Sequence, residues 1–315
     1  MTQIKLGVLD TCHLTEDRKP YEVLHESIEV APLVEAWGYS RYWLAEHHEG
    51  DVAHSSPVLM VAFVAGVTET IRVGTAGILL AFHPPLRVAE DVRVLESFYP
   101  GRIDLGVGSG AIPRARAQVL RDAAPSLAGS DAAAPQGSEP YETPEPERYA
   151  ERVRELFTYV RGEGAVLARP RGVGRPQPWV LGSGGARTAE LAGQESASYG
   201  LALFLGRSQA ASPDLVERYR AHFRPSEETP EPRACLAMAG VCAETEAQAQ
   251  ALVAGNPLGK ALRPNLVGTP AQCRETLLEF AARYQTNEFV FLDLCTQTED
   301  RLRSYRLLAE ALELK

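Results

Sequence analysis

Eight short apolar runs, separated by stretches with helical spacing, are the feature that most restricts how this chain can fold. The runs occupy residues 4–10, 41–46, 71–81, 102–106, 177–182, 200–205, 234–241 and 288–294. Most are apolar along their length rather than alternating with polar residues. That is the pattern of parallel strands covered on both faces. Helical spacing follows each of them, at 21–37, 58–68, 86–98, 148–161, 186–194, 214–223, 245–254 and 299–312, with one more helix at 270–284. Punctuation agrees with this division. Ser55-Ser56-Pro57 and Pro84-Pro85 read as helix starts, and Pro100-Gly101 as a stop. A doubly wound open sheet alternates in the same way, but eight β–α units favour a closed TIM (β/α)8 barrel spanning 1–315 as one domain. The segment 111–146 breaks the rhythm. It is rich in Pro, Ala, Ser and Gly and poor in large apolar side chains, so it reads as an irregular insertion after the fourth strand, a loop or lid.

Composition narrows the function. With 45% hydrophobic and 23% charged residues, the balance is that of a globular protein. A net charge of −9 argues against a nucleic-acid partner, which requires a basic face. No apolar run approaches the roughly 20 residues that span a bilayer, and the N-terminus enters a strand at once, without a signal-peptide pattern. The five cysteines are scattered, with no CxxC pair, so a zinc knuckle or redox dithiol is not expected. A cytoplasmic location with reduced thiols follows.

In a parallel barrel the active site lies at the C-terminal ends of the strands. Here the runs end in Asp10, Glu46-His47-His48, Phe82-His83, Gly108-Ser109-Gly110 and Ser183-Gly184-Gly185. Polar and glycine residues thus gather at one end. Neighbours on an extended chain face opposite ways, so one of the two histidines, not both, looks into a shared pocket. The same alternation argues against a metal ion held by the adjacent pair, and no HxH pair is present; no metal site is expected. The stretch Gly184-Gly185-Ala186-Arg187-Thr188 lies between a strand and a helix. Free N–H groups at a helix start bind phosphate, glycines allow close approach, and Arg187 and Thr188 add a cation and a hydroxyl. A plain tight turn is the competing reading. Neither a P-loop nor a GxGxxG fingerprint occurs.

Taken together, GYSRYWLAEHH (38–48), IRVGTAGILLAFHPPLRVAEDVRVLESFYPGRIDLGVG (71–108), PWVLGSGGARTAELA (178–192), VGTPAQCRETLLEFA (267–281) and the C-terminal EFVFLDLCTQTEDRLRSYRLLAEAL resemble the bacterial-luciferase-like flavin-dependent monooxygenases. The likeness is in order and covers most of the chain. It implies a TIM barrel binding FMN at its C-terminal face. His47 would be the acid–base residue near the flavin ring. Thr75, Ala76 and Gly77 would run beside the ring, with a cis Ala76–Gly77 peptide. Gly108 and Ser109 would lie at the end of the fourth strand. The phosphate would sit at Ser183, Gly184, Gly185, Arg187 and Thr188. Two departures stand out. Ser109 and Gly110 occupy the place where many relatives carry a phosphate-binding arginine, so that either Arg187, Arg114 or Arg116 compensates or flavin binds weakly, and the segment before Pro270 is abbreviated.

The resemblance implies oxygenation of a small organic substrate by O2 and reduced FMN, with a separate flavin reductase and a homodimeric assembly. A deazaflavin-dependent dehydrogenase on the same barrel and a non-catalytic flavin-binding relative are the alternatives.

Overall fold

The computed structural model describes residues 3–15, 18–48, 50–121, 141–142, 144–205, 212–227 and 229–315. Eight strands form the barrel: β1 (Lys5–Asp10), β2 (Arg41–Leu44), β3 (Arg72–Thr75), β4 (Ile103–Gly108), β5 (Gln177–Gly182), β6 (Ser198–Ala202), β7 (Ala234–Cys242) and β8 (Glu288–Asp293). Each pairs in parallel with the next, and β8 returns to β1 with Lys5 opposite Glu288 and Val8 opposite Phe291. The sheet is therefore a closed eight-stranded parallel barrel with helices between the strands. Closure explains the unbroken apolar runs: every strand is buried inward and outward.

The strand boundaries moved where backbone pairing, not side-chain character, decides them. The run 71–81 is not one strand. β3 stops at Thr75, the Ala76–Gly77 peptide is cis, and the chain pairs again with β4 at Ile78–Leu79 before a 3-10 turn at Leu80–Phe82. β6 begins at Ser198 and ends at Ala202, so Phe204 and Leu205 lie beyond it. Glycines bring β3 and β4 close. A Cβ on Gly74 would stand 2.2 Å from the Asp104 carbonyl oxygen, and one on Gly106 would stand 2.0 Å from that of Thr75.

The flanks of the 111–146 segment are regular, not irregular as its composition implies. Ile112–Pro113 pairs antiparallel with Tyr141–Glu142, and a helix spans Arg114–Arg121. Ile112 and Ala117 bury themselves against Ala81 and Phe82 in a small satellite core. The expectation for 122–140 lies outside the described residues. In the abbreviated segment before Pro270, a short helix (Pro257–Ala261) and a short strand (Leu266–Gly268) paired with β7 complete the wall. Among the described residues, no helix is long and apolar enough to cross a membrane.

At the N-terminal ends of the strands the barrel is plugged by charge. Arg41 donates to Asp104 at 2.9 Å and to Glu288 at 2.6 Å. Arg72 and Arg233 add ion pairs to the same two carboxylates at 2.7 and 2.9 Å. The Trp43 indole N–H donates to Asp104 at 2.8 Å. Arg41 also stands over the rings of Trp43 and Trp179, 5.1 and 4.8 Å from their centroids. Burial opposes ionisation of Asp104, but Arg41 and Arg72 outweigh it and lower its pKa.

Candidate active site

The C-terminal ends of the strands open onto a cavity of about 1230 Å³, to which all eight strands or the residues just beyond them contribute. This is where a parallel barrel carries its site. Trp43, Ala45 and His47 line it, whereas Leu44, Glu46 and His48 do not. The two-residue alternation of β2 thus persists past the end of the strand and sorts the two histidines. His47 faces the cavity. His48 is 8% exposed and turned away from it.

What His48 meets was not visible in the sequence. The buried Glu46 carboxylate is a hub. One oxygen is 2.6 Å from His48 Nε2 and 2.7 Å from His83 Nε2, and the other accepts from the Leu79 amide at 2.9 Å. Burial opposes its ionisation, but the hydrogen bonds from both imidazoles, the charge of His83 and the Leu79 amide prevail and bring its pKa down to about 2. Glu46 therefore ties the segment carrying His47 to the one that follows Ala76–Gly77. The ligand-type atoms of Glu46, His48 and His83 lie within 4.8 Å of one another. Contacts of 2.6 and 2.7 Å are hydrogen-bond lengths, shorter than the roughly 3.3 Å between ligands on a tetrahedral zinc ion. As arranged, this is a hydrogen-bonded cluster.

Of the other residues singled out in the sequence, Ala76, Gly77, Gly108, Ser109, Ser183, Gly185, Arg187 and Thr188 line the cavity. Thr75 does not. It is buried, and its hydroxyl donates to the Gly106 carbonyl at 2.8 Å and accepts from the Gly106 amide at 3.1 Å, which fastens β3 to β4. Gly184 is not on the cavity wall either; its φ of 148° serves the turn between β5 and the next helix. Asp10, at the end of β1, is likewise structural, accepting from the Cys12 amide, the Ser27 hydroxyl and the Tyr42 hydroxyl at 2.8, 2.7 and 2.6 Å.

The helix Ala186–Gln194 starts at the cavity wall. Its N-cap is Gly185, with no side-chain cap bond. The Thr188 and Ala189 amides turn back to the Gly185 carbonyl. Those of Ala186 and Arg187 have no acceptor among the described residues. A Cβ on Gly185 would stand 3.4 Å from the Thr188 hydroxyl, and one on Gly108 would meet nothing within 4 Å. The glycines leave open the space in front of the helix start and beside β4. Arg187 is ion-paired with Glu147, both on the exposed rim. Arg114 and Arg116 are exposed and do not line the cavity.

The fold and this cavity define a parallel-barrel protein with its site at the C-terminal face. The profile of the luciferase-like monooxygenases matches residues 4–264, and the chain belongs to that family. The uncharacterized protein YwcH of Bacillus subtilis (strain 168) is 31% identical, over 98% of this chain and 99% of its own length. Among solved structures, apo-MsnO8 superposes with a TM-score of 0.84 at 31% identity, covering 99% of both chains. At 16% and 13% identity the likeness shows the fold alone. The oxygenating constituent of 3,6-diketocamphane monooxygenase, in complex with FMN, has a TM-score of 0.70 and covers 98% of both chains. An F420-dependent secondary alcohol dehydrogenase has a TM-score of 0.63 and covers 99% of both.

Proposed function

We propose that this chain is a two-component monooxygenase that uses reduced FMN from a separate flavin reductase and O2 to oxygenate a small organic substrate. One observation carries the reading: a helix start whose Ala186 and Arg187 amides have no acceptor among the described residues shares a cavity with the Thr188 hydroxyl and His47. The residues present fit FMN. Ala186, Arg187 and Thr188 would hold the phosphate at the positive end of the helix, and Gly77, Gly108 and Ser109 would leave room for the ring system. When bound, reduced FMN supplies the two electrons that reduce one oxygen atom of O2 to water while the other enters the substrate.

The chain's own residues bind, orient and exclude water. Trp43, which lines the cavity and packs edge to face on the buried Trp179 at 5.0 Å, lies between the cavity and the buried charges of Arg41 and Asp104. His47 takes or returns a proton on the cavity side, a role suited to imidazole near neutral pH. Glu46 holds the segment that presents it. A separate reductase accords with the FMN-bound neighbour, described as the oxygenating constituent of its enzyme. All five cysteines are free and buried, which suits a cytoplasmic location. Homodimerisation is supported by the helix Pro57–Gly66, which is apolar on its outward face as well. Leu59 and Phe63 are 64% and 59% exposed, and Phe98 on the adjoining helix Pro85–Phe98 is 73% exposed.

The test is a calorimetric titration with FMN, riboflavin and the deazaflavin cofactor. FMN should bind tightest, and Thr188→Ala should weaken it by about 1 kcal/mol, the loss of one hydrogen bond to a charged group, leaving riboflavin unaffected. Preference for the deazaflavin would favour the dehydrogenase alternative. FMN binding without oxygen-dependent turnover beside a reductase would favour a non-catalytic relative.

A further inference from the structure

Two helices begin at the cavity wall. Pro146 and Glu147 stand in the first turn of the helix Pro146–Arg161, and Ala186, Arg187 and Thr188 in the first turn of the helix Ala186–Gln194; all five line the cavity. The two first turns carry opposite charges. Glu147 is where a helix favours a carboxylate, close to its own free amides. Arg187 is where a helix disfavours a cation, because the positive end of the macrodipole lies there. A cation so placed is stabilised by an anion held in front of the same helix start.

In the unliganded protein Glu147 is that anion. The Arg187 guanidinium donates to its carboxylate. The other paired charges on this wall look outward: Arg154 to Glu195 at 3.1 Å and Glu190 to Arg218 at 2.7 Å, and neither Glu195 nor Arg218 lines the cavity. Arg187 and Glu147 differ in that both members of the pair face the cavity. Their side chains are 69% and 67% exposed. An ion pair in that setting is weak and screened by salt, so a second anion displaces one partner at little cost.

We propose that Glu147 competes with the FMN phosphate for Arg187 and so keeps the cofactor exchangeable. This inference rests on the flavin reading, which puts the phosphate at the start of the helix Ala186–Gln194. A phosphate monoester carries about −1.5 to −2 charges at neutral pH and three acceptor oxygens, so it takes the guanidinium from a single carboxylate. The released Glu147 then stands near a like charge. Each arrival of FMN breaks one attractive contact and creates one repulsive one, and each departure reverses both. Glu147 thereby sets cofactor affinity without touching the flavin. Reduced FMN delivered by a separate reductase has to come and go with each turnover, which such a contact favours.

The experiment is a calorimetric titration of FMN and of riboflavin into the parent protein, Glu147→Gln, Arg187→Met and the double variant, at about 50 mM and about 1 M salt. At low salt Glu147→Gln should tighten FMN about two- to fivefold, the range of an exposed ion pair, and leave riboflavin unchanged. The gain should shrink at high salt, where the screening length falls to about 3 Å. In the Arg187→Met background the same substitution should do less, because the competition needs the guanidinium. Both side chains are exposed, so the variants should keep the parent's urea midpoint. Unchanged or weaker FMN binding by Glu147→Gln would overturn the proposal. So would an equal gain with and without Arg187, which would mean plain repulsion rather than competition. A parent that holds FMN no tighter than riboflavin, or binds neither, would sink the flavin reading and this proposal with it.

Discussion

At the N-terminal ends of the strands, Arg41, Arg72 and Arg233 are matched to Asp104 and Glu288 in a buried network. At the C-terminal ends, the Ala186 and Arg187 amides have no acceptor among the described residues, His47 lines the cavity, and glycines such as Gly108 leave space beside it. One end of the barrel is filled by a mutually satisfied charge network; the other is open, with polar residues around a cavity. Charge near a strand end is thus not by itself a sign of chemistry. What distinguishes the two ends is whether the charged and polar groups surround an open cavity.

Substitutions at the two ends should therefore fail in different ways. The largest effect is expected for His47→Ala, which should lower turnover by about 10²- to 10⁴-fold, the usual span for general acid–base catalysis, with unfolding free energy and FMN affinity nearly unchanged. Product formed per reduced FMN, compared with His48→Ala, is the measurement. Full coupling in His47→Ala would remove the acid–base assignment. At the closed end, Arg41→Met should cost about 3–5 kcal/mol of stability, because it leaves buried carboxylates short of a cation. Urea unfolding reads this directly, and an unperturbed midpoint would mean that Arg72 and Arg233 suffice.

Glu46→Gln tests the boundary between the two behaviours and should have the smallest effect. Glu46 lies at the open end but is internally satisfied, so the substitution should cost stability, about 1–3 kcal/mol at neutral pH, more than it costs FMN binding. The sign of the pH dependence is fixed. The folded-state pKa is lowered from 4.5 to about 2, so the stabilisation is present above 4.5 and lost as pH falls toward 2. The gap between parent and variant in urea midpoints should close over that window. A constant gap from pH 7 to pH 3 would show that the carboxylate's charge is not what the cluster uses.

The barrel was legible because burial on both faces writes itself into every strand as an apolar run. Alternation along an extended chain made it legible that one of the two histidines faces the cavity; the family likeness selected His47, which lines it. Contacts between distant residues were not. Glu46 and His83 are 37 positions apart, and nothing local pairs them. Thr75 was placed at the flavin by family likeness, yet its hydroxyl is used by Gly106. The buried network did leave a trace: Arg41, Asp104 and Glu288 are isolated charges at the starts of apolar runs, where a charge must find a partner. That Leu258 and Leu262 line the cavity left none, since an apolar residue in a short segment looks the same whether it faces a cavity or a core.

The pairing of β1 with β8 also bears on how the protein is made. Leu6 and Phe289 lie opposite each other, so the ring cannot shut until the β8 segment has left the ribosome. Until then β1 and the most recently formed strand are bare edges, and the inner wall faces water. Contacts so remote in sequence make for slow folding and a long interval in which the nascent chain can associate wrongly. Deleting the β8 segment should therefore yield an aggregating product, and chaperone demand during synthesis should persist until its last strand emerges.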